Sequence, residues 1–107
     1  MDYKNLYSVL TEKLEKEIPI TAYPIRELVQ IFRDKGNPIT LKSKLTITSV
    51  FNSGDISGIM CTVMENNDNV IACSLTHLLF ERKFHLYKDI LDYQQKRFKR
   101  IKQLNQT

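Results

Sequence analysis

The sequence predicts an α+β domain in the order α-α-β-β-β-α, a three-stranded antiparallel meander packed against helices and closed by a long basic C-terminal helix. Three observations predict it. Apolar residues recur at three- and four-residue steps near both ends of the chain, the period drops to two in the middle, and the basic excess collects at the end. The 107 residues, 42% hydrophobic and 26% charged, have the composition of one globular domain over residues 1–107 rather than of a disordered chain.

In the first helix Tyr3, Leu6, Leu10, Leu14 and Ile18 share a face, with Glu12, Lys13, Glu15 and Lys16 between them. Pro19 ends it, because a residue before proline disfavours helical backbone. The segment from Pro19 to Pro24 reads as a connector. Pro24 suits the first turn of a second helix, whose apolar face is Ile25, Leu28, Val29 and Phe32 and which closes at Gly36, before Asn37 and Pro38.

From Ile39 the period is two. Ile39, Leu41, Leu45, Ile47 and Phe51 face one way and Thr40, Lys42, Lys44, Thr46 and Thr48 the other, the pattern of a half-buried strand. Asn52, Ser53 and Gly54 fit a three-residue hairpin loop that sets residue 51 opposite residue 55, with Gly54 in the left-handed conformation. A second strand then runs from about Ile56 to Glu65, residues 66–69 turn, and Val70 to Leu75 form a third strand.

If both of these strands bury their bulkier side chains, Ile59, Cys61 and Val63 share a face with Ile71, Cys73 and Leu75. Odd then pairs with odd, the turn centres on Asn67, and Cys61 stands across from Cys73. Met60, Met64 and Val70 fall on the opposite face. Apolar residues on that second face make it a candidate interface and raise the expectation of a homodimer.

The last helix extends from Phe84 to about Leu104, roughly 30 Å at 1.5 Å per residue. Phe84, Tyr87, Leu91, Phe98 and Ile101, with Gln94 in register, form a stripe that packs within the fold or on a partner helix. Residues 1–36 carry six basic and six acidic side chains, residues 37–80 two and three, and residues 81–107 eight and three. The basic excess therefore belongs to this helix, where Lys96, Arg97, Lys99, Arg100 and Lys102 are the candidate contacts for nucleic-acid phosphates or an acidic protein. Lys42 and Lys44 are a candidate extension of the patch. Each feature also has a plainer account: cations suit any helix C-terminus, Asp92 pairs with Lys96 at four residues, and strand lysines guard a sheet edge.

Other chemistries find little support. Cys61, Cys73, His77 and His85 are separated by 11, 3 and 7 residues, unlike the knuckles of structural zinc sites, so no metal is expected. His77 and His85 have nearby Glu81 and Asp89 to orient an imidazole, but no nucleophile elbow or glycine-rich phosphate loop accompanies them, and neither an enzyme nor a cofactor is expected. No apolar run approaches the roughly 20 residues that span a bilayer, and charges interleave the N-terminus where a signal peptide needs an apolar block. With only two cysteines the chain is expected in the cytoplasm, away from membranes. The function expected is that of a small non-enzymatic regulatory or binding protein that contacts nucleic acid through its last helix. The alternative is a protein-interaction module, an adaptor or assembly factor acting as a homodimer.

Overall fold

The computed structural model describes residues 3–65 and 68–106. Helix α1 (Tyr3–Glu15) leads to strand β1 (Ile20–Pro24), helix α2 (Arg26–Asp34), strand β2 (Leu45–Asn52), the single helical turn α3 (Gly54–Ser57), strands β3 (Ile59–Glu65) and β4 (Asp68–Ser74), the two-residue strand β5 (Leu78–Leu79) and helix α4 (Tyr87–Asn105). The strands form one five-stranded antiparallel sheet in the order β4-β3-β2-β1-β5. The α+β class and the long last helix are as the sequence predicts. The three predicted strands are neighbours within this sheet, which β1 and β5 extend beyond a three-stranded meander.

Strand β1 lies in the segment read as a connector. Its alternation is complete, with Ile20, Ala22 and Pro24 buried and Thr21 and Tyr23 more open, but prolines bracket it and it is only five residues long. Tertiary pairing makes it a strand: Ile20 stands opposite Ile47 and Ala22 opposite Leu45, and on its other side Tyr23 meets Leu79.

Strand β2 begins at Leu45 rather than Ile39. Residues 40–43 form a turn instead, in which the Ser43 amide donates to the Thr40 carbonyl (3.0 Å) and the Thr40 amide to the Ser43 hydroxyl (3.0 Å). Such local side-chain bonds compete with a ladder, and they leave Leu41 52% exposed. Further along, a bulge between Ile47 and Ser49 shifts the pairing with β3. The shift turns Val50 into the core and Phe51 out of it, 6% and 41% exposed, so Phe51 does not share a face with Ile47.

The hairpin expected at residues 52–54 is a longer connection. The Asn52 side chain accepts from the Gly54 amide (3.0 Å), α3 follows, and the Ser53 amide donates to the Gly58 carbonyl (2.8 Å). Phe51 accordingly faces Met60, not residue 55. Gly54 adopts the positive φ expected of it, 83°. Between β3 and β4 the predicted register holds: Cys61 faces Cys73, Val63 faces Ile71 and Met64 faces Val70. The pairing shifts only at the hairpin end, where Glu65 meets Asp68; the proposed turn centre, Asn67, lies outside the described residues.

The core lies between one face of the sheet and the helices. Tyr7, Leu10 and Leu14 of α1, Leu28 and Phe32 of α2, and Ile90 and Tyr93 of α4 pack with Leu45, Ile47, Ile59, Cys61, Val63 and Leu75. Both cysteines are free and buried, and burial pushes their thiols up, that of Cys73 to about 12. Cys61→Ser should cost about 1–3 kcal/mol by leaving a hydroxyl in apolar surroundings. A denaturation midpoint equal to that of the wild type would contradict the apolar assignment of this site.

Candidate functional site

Helix α4 presents a different face to the core from the one its apolar residues predict. The buried stripe is Leu86, Ile90, Tyr93 and Arg97, whereas Leu91 and Phe98 are 40% and 51% exposed. Arg97 conceals this stripe in the sequence, since a charged residue occupies what geometry makes a core position. Gln94, the polar member in register with the predicted stripe, ties α4 to the 3₁₀ turn Leu75–His77 and β5 by donating to the carbonyls of Leu75 (3.0 Å) and Leu78 (2.9 Å).

The basic run divides accordingly. Arg97 is only 3% exposed; its guanidinium donates to the carbonyls of Asp55 and Ile56 and to the Tyr7 hydroxyl (3.1 Å). Arg100 clasps the Asp55 carboxylate, with Nε 2.9 and 3.0 Å from its two oxygens and Nη2 on Oδ2. The Arg100 hydrogen bonds chiefly, aided by the charges of Arg100 and Arg97, hold the Asp55 carboxyl below its usual value. What this pair adds to stability is present above the ordinary carboxylate range and is lost as pH falls through the lowered value. Lys96 meets Asp92 at 3.0 Å. Among the described residues, Lys99 and Lys102 have no acidic partner.

The candidate extension lies elsewhere. Lys44 borders a groove of about 550 Å³ with Glu17, Glu81, Lys83 and His85, at the N-terminal end of α4. The basic run is at the other end of that helix, beside Tyr7 and Asp55. Twelve residues, about 18 Å of helix, lie between Tyr87 at that end and Lys99, which sets Lys44 apart from Lys99 and Lys102. In the groove His85 Nε2 meets Glu17 at 2.7 Å and Lys83 meets Glu81 at 3.3 Å.

The outer face of the sheet brings Met60, Met64 and Val70 together as predicted. Across β2, β3 and β4 it is built in three rows: Thr46, Met64 and Val70; Ser49, Thr62 and Ala72; and Phe51, Met60 and Ser74. No row contains a charge, in a chain of which 26% is charged. Val70 is 60% exposed and Phe51 41%, and Ala72 is exposed, while the methionines are half-buried. Phe51, Thr62 and Ala72 are members of this surface that the sequence reading missed. Period-two alternation on β3 and β4 identifies Thr62 and Ala72; Phe51 needs the bulge.

Among the described residues no group of three or more histidine, cysteine or acidic side chains is placed to hold a metal ion, and no helix is long and apolar enough to cross a membrane. Comparison with protein-family models, curated proteins and solved structures finds no match to this chain.

Proposed function

We propose that this protein is a non-enzymatic interaction module that works as a homodimer, with its working surface on the outer β3–β4 side of the sheet. The observation that carries the proposal is the uncharged, solvent-facing set of rows around Met60, Met64, Val70 and Ala72. A contiguous surface of this kind on a small domain marks a contact with another polypeptide, because charge is depleted where an interface excludes water. The stripe on α4 offers less. Leu91 and Phe98 are two exposed apolar residues one heptad apart, too short a repeat to hold a partner helix. A reducing, cytoplasmic setting belongs to this reading, in which Cys61 and Cys73 stand opposite each other as free thiols.

Val70→Glu combined with Ala72→Glu tests the proposal. Both positions face solvent within one copy, so the expected result is an unchanged thermal midpoint and a fall in mass from twice the 12.6 kDa chain to the chain itself. A variant that stays dimeric would sink the assignment of this side of the sheet.

Nucleic-acid contact through α4 is the second reading, favoured by the exposed Lys99 and Lys102, which have no acidic partner among the described residues, with Lys96 beside them. Retention of duplex DNA at low salt should then show a log-log salt slope of about −2 to −3, since each neutralised phosphate contributes about 0.9. It should vanish in Lys99→Glu with Lys102→Glu. No retention by the wild type would end this reading.

A further inference from the structure

We infer that a second copy of this chain joins edge to edge through β4, about a two-fold axis that sets Ala72 against its own counterpart. The inference rests on the homodimer proposed above and adds where and in what register the copies meet.

Strand β4 is the outermost strand at one end of the sheet and pairs with β3 alone. An edge strand turns the amide and carbonyl of every second residue away from its sheet. Among the described residues, no hydrogen bond from another element reaches the backbone of Val70, Ile71, Ala72 or Cys73. Natural edges are usually blunted by lysine, proline, a bulge or brevity. The run Val70-Ile71-Ala72-Cys73-Ser74 has none of these: it is uncharged, lacks proline and glycine, and pairs in unbroken register with β3 from Met64 to Met60. The opposite edge is different, for β5 is two residues long. Among the described residues, only β4 offers an edge run long enough to extend the sheet.

A second copy is the occupant that fits. Antiparallel backbone pairing is self-complementary, so the groups left open on one β4 are those that another β4 requires. The uncharged run also provides nothing for a charged peptide to pair with. A two-fold axis normal to the sheet keeps outer face with outer face and places one residue opposite its own copy. Centring it on Ala72 pairs the whole run with itself: Val70 meets Ser74 and Ile71 meets Cys73 in each direction. Ala72 is small and exposed, so no bulky side chain meets its twin at the axis. The result is one sheet of ten strands, five from each copy, with both helical layers on the same side and the uncharged outer rows merged into one platform.

The test is Ala72→Cys under mild oxidation, read by mass without reductant. Directly opposed residues of an antiparallel pair have Cα atoms about 4.5–5.5 Å apart, within disulfide reach, whereas two sheets stacked face to face lie about 10 Å apart. The expected result is a covalent dimer at twice 12.6 kDa, absent from the wild type treated alike. Val70→Cys should not cross-link to itself, because the proposed register separates the two copies by four residues, about 13 Å. If the wild type is dimeric but Ala72→Cys does not cross-link, edge pairing is wrong and the interaction-module reading stands. A wild-type particle of one chain mass would overturn both, and cross-linking by Val70→Cys as readily as by Ala72→Cys would overturn the register.

Discussion

Replacing Arg97 with alanine is expected to destabilise the fold by about 3–5 kcal/mol, the largest effect of any single substitution considered. Its guanidinium is the bond between three elements, since it serves the carbonyls of Asp55 and Ile56 in α3 and the Tyr7 hydroxyl of α1 from its place on α4. Truncation removes all three bonds made by a side chain only 3% exposed and leaves a cavity beneath the Tyr7 and Tyr93 rings, which meet edge to face at 5.4 Å. Removing one side of a buried, hydrogen-bonded charge costs the desolvation of everything it served. Arg97→Lys should recover only part of the loss, because an ammonium lacks the planar fork that reaches two carbonyls at once. Urea denaturation measures both. A loss below about 1 kcal/mol for the alanine variant would mean that the guanidinium is not the joint described.

Gly58→Ala is expected to cost about 2–5 kcal/mol, from two causes at one residue. Gly58 ends α3 with φ at 70° and ψ at −150°, a region open almost only to glycine. A Cβ there would also lie 2.6 Å from the Tyr93 hydroxyl and 2.8 Å from Arg97 Nε. The Tyr93 hydroxyl cannot easily retreat, because it accepts the Ile59 amide at 2.8 Å. Since the new methyl would collide with Arg97 itself, Gly58→Ala and Arg97→Ala combined should cost less than their sum. Strict additivity would show that the two residues do not share a contact.

Both effects centre on a joint that sequence patterns conceal. Arg97 stands at a core position of α4 and reads as one more cation of a basic run, so a search for apolar spacing settles on Leu91 and Phe98, one residue out of phase. Asp55 reads as the residue after a hairpin loop and Gly58 as part of a strand, and only the folded chain places them against α4. Where local pattern and tertiary structure agree, the reading succeeds: the facing of Cys61 with Cys73 follows from alternation alone, because a slip of one residue would expose every buried side chain of β4. The same logic finds Met60, Met64 and Val70 on one face. It fails for Phe51, since a bulge adds a residue that alternation cannot announce. Strand β1 is lost to its brevity and its prolines, and β5 to its length of two residues.

The basic run shows how composition overstates a surface. Five cations between Lys96 and Lys102 promise a phosphate-binding face, yet Arg97 is inside, Arg100 holds Asp55 and Lys96 has Asp92. The outer face of the sheet carries the functional proposal instead, because its rows are free of charge and Phe51, Val70 and Ala72 in them are exposed. Light scattering of the wild-type protein at micromolar concentration tests that claim most directly. A particle of twice the 12.6 kDa chain mass is expected, and a particle of one chain mass would rule out the homodimer.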